Sequence, residues 1–168
     1  MSNRWSVIRV FSLVIALASI SCHAKRVAFS SDLKMGDALS DRQLISGFYG
    51  IEQKQWRWAA RRFAVVLQPP PGSERAGGTL RLHLFIPASQ IEKFGPITLS
   101  AEAEDAPLAP ETFSQGGSYT YSRNVPAALF RATLLPVVFT LDKAIGRSEK
   151  DSRELGAVVT EVSIEGKR

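Results

Sequence analysis

The chain has 168 residues, 45% of them hydrophobic and 22% charged, and a formal net charge of +5. This is ordinary globular composition, which excludes a disordered polar tail or a collagen-like chain, and the one cysteine excludes a disulfide framework. Basic residues are mixed among acidic ones, and the only local basic cluster, residues 54–62, is interrupted by Trp56 and Trp58, so nucleic acid is not an expected partner.

At the start of the chain, Arg4 and Arg9 accompany an apolar run over residues 10–20, and small residues follow up to Ala24. This is the layout of a secretory signal peptide, predicted as a helix within residues 1–24 and shorter than the roughly 20 apolar residues of a membrane span. Two processing routes stay open. Cys22 and Ala24 fit the small-x-small positions of a site that would make Lys25 the mature N-terminus, with no cysteine left. Alternatively, Cys22 is the lipid-bearing first residue of a bacterial lipoprotein, with Ser19 at the position where such sites usually carry an aliphatic residue. The expected location is therefore periplasmic or extracellular, or at a membrane through a lipid anchor, with no membrane span after cleavage.

Residues 25–41 are polar and mixed, and read as a flexible arm or a short leading strand around 27–29. Residues 42–168 read as a single domain. From Phe63 onward the apolar residues alternate with period two, the mark of half-buried strands. Phe63, Val65 and Leu67 share a face until Pro69-Pro70-Pro71-Gly72 ends the strand. Leu80, Leu82, Leu84 and Ile86 share another, opposite Arg81 and His83. Further strands follow at Ile97–Ala103, around Tyr119 and Tyr121, at 137–141, and at 158–164, where Val158, Thr160, Val162 and Ile164 read as one face. Short helical turns are predicted at 87–94 and 126–130, each opening on proline. Gly156 within a strand pattern predicts a bulge or a close backbone approach. The expected fold is all-β: a two-sheet antiparallel sandwich, jelly-roll or immunoglobulin-like, with one or two helical turns.

Catalytic chemistry finds little support. His83 is the one histidine beyond the signal segment, so neither a transition-metal site nor a serine-histidine nucleophile is expected, and no cofactor is implied. Glu52, Glu111, Asp142, Asp151 and Glu154 leave a paired-carboxylate glycoside hydrolase as a third reading.

The densest chemistry lies in Gly47-Phe48-Tyr49 through Phe63. Trp56 and Trp58 share parity, with Arg57 opposite. One reading buries Trp58 in the core and pairs Arg57 with Glu52, Asp151 or Glu154, an arginine fork fixing two segments in register. The other exposes Trp56 and Tyr49 as a platform for a sugar ring, with Glu52, Gln55 and Arg57 bonding its hydroxyls. A second cluster, Asp151-Ser152-Arg153-Glu154-Leu155-Gly156, precedes the last strand, and Arg153 is placed to reach Glu52 or Asp142. The candidate ligand residues are Tyr49, Glu52, Gln55 and Trp56, and the candidate structural lock is Arg57, Trp58, Asp151, Arg153 and Glu154.

These segments carry a resemblance. Gly47-Phe48-Tyr49, Glu52, Arg57-Trp58, the strand at 63–67, Arg123-Asn124-Val125-Pro126, Leu141-Asp142-Lys143 and the 151–156 turn resemble small exported β-sandwich proteins of soil bacteria such as acidobacteria. The same pattern is similar to accessory β-sandwiches of bacterial glycosyltransferases and surface-polysaccharide proteins. The resemblance spans residues 44–165 and implies a sandwich fold and a connection to glycans or the cell envelope. The expected protein is thus a non-catalytic envelope module binding carbohydrate or, alternatively, an envelope protein partner.

Overall fold

The computed structural model describes residues 28–167. The signal segment, with both processing alternatives at Cys22, lies outside the described residues. Among the described residues there are nine strands: β1 (Asp32–Lys34), β2 (Leu44–Glu52), β3 (Trp56–Leu67), β4 (Gly78–Ile86), β5 (Ile97–Ala103), β6 (Ala106–Phe113), β7 (Gly117–Val125), β8 (Leu135–Leu141) and β9 (Ala157–Gly166). Two short α-helices, α1 (Ser73–Ala76) and α2 (Ala88–Phe94), and 3-10 turns at Ala38–Gln43 and Ala127–Leu129 connect them. Pro87 and Pro126 each stand just before a helical turn, with φ of −61° at both, close to what the turn needs.

All the pairings are antiparallel, and β3 is the pivot. Its first half pairs with β9, Arg57 opposite Val159, and its second half with β8, Phe63 opposite Phe139. Two sheets diverge from this one strand, in the orders β3-β9-β4-β7 and β3-β8-β5-β6. This is a jelly-roll sandwich in which a single long strand serves both sheets. β2 follows the outer edge of β3 through several register shifts, and β1 takes the rest of the β9 edge beyond β3.

The far side is closed by side chains. The Tyr121 hydroxyl on β7 donates to the Ala109 carbonyl on β6 at 2.9 Å, and Arg123 donates to the Ala109 and Pro110 carbonyls at 2.6 and 2.8 Å. The Arg123 guanidinium also lies 4.3 Å from the centre of the Tyr121 ring. Burial pushes the Tyr121 phenol above its ordinary pKa, with Arg123 opposing and Glu111 adding to the shift.

Between the sheets the alternating residues meet. Leu80, Leu82, Leu84 and Ile86 face Leu99, Ala101, Val137, Phe139 and Leu141, all buried. Phe63 stacks on Phe139 at 5.1 Å and meets Phe48 edge-on at 5.3 Å.

Three local features depart from the alternation. Within the segment read as an arm or leading strand, a strand sits at Asp32–Lys34, and Leu33 and Met35 are buried at 1% and 0% exposure, so this stretch belongs to the core. β9 changes phase: Val158 and Thr160 face outward while Ala157, Val159, Val162 and Ile164 are buried, because an irregularity against His83 and Leu84 inserts one residue. β2 and β6 carry no clean period. β2 is broken by its register shifts, and β6 is an edge strand containing Pro107 and Pro110, which edge positions tolerate.

Candidate functional site

The β2–β3 hairpin turns at Glu52-Gln53-Lys54-Gln55, closed by the Gln55 N–H to the Glu52 carbonyl at 3.1 Å. Gln53 and Lys54 hold φ of 51° and 57°, the left-handed pair of a primed hairpin turn that matches strand twist. Neither is glycine, so each position costs on the order of 1 kcal/mol. The turn rests against Gly36, where an added Cβ would lie 2.3 Å from the Lys54 carbonyl oxygen.

Beyond this turn β3 sends Trp56 and Trp58 to one side and Arg57 to the other. The expected parity is present, but Arg57 takes the inward position that one reading gave to Trp58. Trp56 and Trp58 are both partly buried and meet edge-to-face at 6.2 Å, whereas Arg57 is 6% exposed. Three acceptors make the inward arginine tolerable: the Met35 carbonyl at 3.0 Å, the Tyr49 carbonyl at 3.1 Å, and the Asp41 carboxylate. Asp41, from the 3-10 turn, is thus the partner of Arg57 rather than Glu52, Asp151 or Glu154. Buried charge is held only where its donors are satisfied, and these three elements converge to do so. Asp41 lay in the segment read as an arm, and nothing in its local sequence marks it as a partner.

Arg153 gathers the second cluster. It donates to Glu52 at 2.7 Å and to Asp151 at 2.8 Å, and its guanidinium lies 5.6 Å from the centre of the Tyr49 ring. The Tyr49 hydroxyl accepts from the Glu154 N–H at 2.9 Å, and the Glu154 carboxylate accepts from the Arg61 N–H at 3.1 Å. The hydrogen bonds from Arg153 hold the Asp151 carboxyl down at about 2, and those to Asp151 and Glu52 raise Arg153 above its ordinary value. Tyr49 and Glu52 therefore stand with Asp151, Arg153 and Glu154, while Trp58 stands with Trp56. Glu52 belongs to both groups: it lies directly opposite Trp56 in the hairpin, and opposed residues share a face. Gln55 is exposed at the turn.

The outer face of the sheet continues from Trp58. Register places Trp58 opposite Val158, Val158 opposite Phe85, and Phe85 opposite Ser118, forming one lateral row across four strands. Phe85 is 40% exposed, and it is the residue that reading the alternation alone passed over. The available signal was an aromatic at an outward position of the Leu80–Ile86 strand.

The remaining acids are spread. Glu111 pairs with Arg123 at 3.1 Å, and Asp142 accepts from the Thr98 N–H at 2.8 Å. Among the described residues no group of three or more His, Cys, Asp or Glu is placed to hold a metal ion, and no helix is long and apolar enough to cross a membrane.

No protein-family model matches the chain, and no curated protein matches it. Among solved structures, the chain is similar to one described as "CBM4 structure and function", at 12% identity and a TM-score of 0.37 over 81% of this chain and 85% of that one. It is also similar to an acetyl xylan esterase from the rumen bacterium Butyrivibrio proteoclasticus, at 12% identity and a TM-score of 0.44, over 83% of this chain and 33% of the esterase. A third similarity is to an exo-β-1,3-galactanase from Phanerochaete chrysosporium, at 9% identity and a TM-score of 0.39, over 82% of this chain and 29% of that one. The latent PorU of Porphyromonas gingivalis matches over 64% of this chain, which spans 10% of its length, at 15% identity and a TM-score of 0.38. Backbone overlap at this level is partial, and the chemistry has to be argued from the side chains of this chain.

Proposed function

We propose that this sandwich is a non-catalytic, exported glycan-binding module of the cell envelope, with Trp56 and Trp58 as its stacking platform. The supporting observation is that both indoles lie partly exposed on the outer face, beside each other, while an arginine takes the inward position between them. Keeping part of each indole in water leaves some of the hydrophobic stabilisation of a large ring unused. Held edge-to-face at 84°, the pair offers the face of one ring, steadied by the other, to the apolar face of a sugar, and Glu52 and Gln55 stand beside it as hydroxyl partners. Arg153 holds Glu52, and the Tyr49 ring lies against the Arg153 guanidinium.

Intrinsic tryptophan fluorescence against a panel of bacterial and plant polysaccharides tests this reading. A shift or quench with one glycan class, abolished in Trp56→Ala or Trp58→Ala at unchanged melting temperature, is the expected result. Silence on every glycan, or binding that survives both substitutions, would sink it. A second reading, docking of an envelope protein on the β2 edge, is favoured by Ile45 and Leu39, 58% and 61% exposed near a strand whose only partner among the described residues is β3. A stoichiometric partner lost in Ile45→Lys but kept in Trp58→Ala would establish it instead.

A further inference from the structure

We propose that the binding face extends past the tryptophans to a second subsite centred on Phe85, so that the ligand is an extended, uncharged glycan chain lying across the strands. This rests on the glycan-binding reading above and adds the orientation, length and charge of the ligand. The row Trp58, Val158, Phe85 and Ser118 runs perpendicular to the strands. With strands about 4.8 Å apart, the two aromatic positions stand roughly 10 Å from each other, with the half-buried Val158 between them. Two rings at that separation, with a lower floor between, support a chain at alternate positions rather than a single sugar.

Beside this apolar row runs a polar one. A groove of about 200 Å³ is lined by His83, Phe85, Ser118, Tyr119, Thr120 and Thr160. The His83 Nδ1 lies 3.0 Å from the Thr120 hydroxyl, which fixes the ring and leaves Nε2 for a ligand. Thr160 occupies the groove because of the extra residue in β9, which turns its hydroxyl outward near the His83 carbonyl, 3.4 Å away. Ring faces flanked by hydroxyls and an imidazole complement a chain whose flat faces are apolar and whose edges carry hydroxyls. The groove holds no carboxylate, lysine or arginine, and the cations nearest it are already paired, Arg81 with Glu165 at 3.1 Å and Lys34 with Glu161. An acidic glycan would have to compete with Glu165 and Glu161 for these cations.

Isothermal titration of the mature chain with β-linked gluco- and xylo-oligosaccharides, from disaccharide to hexasaccharide, tests this, with polygalacturonate oligosaccharides as the acidic comparison. Affinity should rise with length for a neutral series and stay weak for the acidic one. Phe85→Thr should remove about tenfold of the hexasaccharide affinity while leaving the disaccharide unchanged, and Phe85→Trp should restore it. Hexasaccharide binding unaffected by Phe85→Thr yet lost in Trp58→Ala would overturn the second subsite and leave the platform standing. Absence of binding to every oligosaccharide would overturn both. Sedimentation showing a dimer that Phe85→Thr dissociates would give the face to a second copy of the chain and overturn the proposal as well.

Discussion

Replacing Arg57 with methionine should be the most damaging single change to a charged residue in this fold. The guanidinium is 6% exposed and bonds to the Met35 carbonyl, the Tyr49 carbonyl and Asp41, so it joins the end of β1, β2 and the 3-10 turn. Methionine fills a similar volume but leaves both carbonyls without their donor, at about 1–3 kcal/mol each. Part of that is recovered by burying an apolar side chain without desolvating a charge, so a net loss of about 3 kcal/mol is expected, the lower end of the range for a broken buried pair. For a chain of this size that corresponds to a fall in melting temperature of roughly 6–12 °C. Asp41→Asn should behave differently. Its side chain is 58% exposed, so solvent screens the charge, and asparagine keeps an acceptor for Arg57; the cost should stay under about 1 kcal/mol. Urea denaturation followed by the fluorescence of Trp56 and Trp58, which flank Arg57, measures both. A loss below about 1 kcal/mol in Arg57→Met, or equal losses in the two variants, would refute the account.

Acid provides a second test. The Asp151 carboxyl is lowered from 3.8 to about 2, chiefly by hydrogen bonds from Arg153. Because the folded value lies below the unfolded one, its stabilisation is complete above the unfolded value and disappears as pH falls through the folded value. Wild type should therefore be more stable than Asp151→Asn near neutrality, and the gap should narrow between about pH 4 and pH 2 in matched urea melts; a gap independent of pH would contradict this. Gly156→Ala should destabilise by about 1–3 kcal/mol, since the added Cβ would lie 2.5 Å from the Ala60 carbonyl oxygen, and thermal melting would show it. Arg123→Ala removes the donors that hold β7 against the Ala109 and Pro110 carbonyls. Hydrogen exchange should then accelerate along β6 and β7 while β3 and β9 keep their protection; uniform protection would show that the closure contributes nothing.

Local physics accounts for the parts of this protein that its sequence alone determined. Period-two runs at Leu80–Ile86, Ile97–Ala103 and 137–141 have one apolar face each, and a face of that kind has to be buried against another. The proline-led turns before α2 and the second 3-10 turn are equally local, as is the close approach at Gly156. Parity also separated Arg57 from Trp56 and Trp58, since alternation is a property of the strand.

Only the tertiary structure decided which side of β3 faces inward. That depends on whether acceptors converge on the guanidinium, and they come from Met35, Tyr49 and Asp41, residues 8 to 22 positions away. The same holds for β9, where one inserted residue moves Val158 and Thr160 from the core face to the outer face. Its cause is pairing with β4, which lies far away along the chain. The row from Trp58 to Phe85 exists because β9 enters between β3 and β4. Side-chain direction is set residue by residue, but neighbourhood across a sheet is set by strand order, and no local pattern in the sequence carries it.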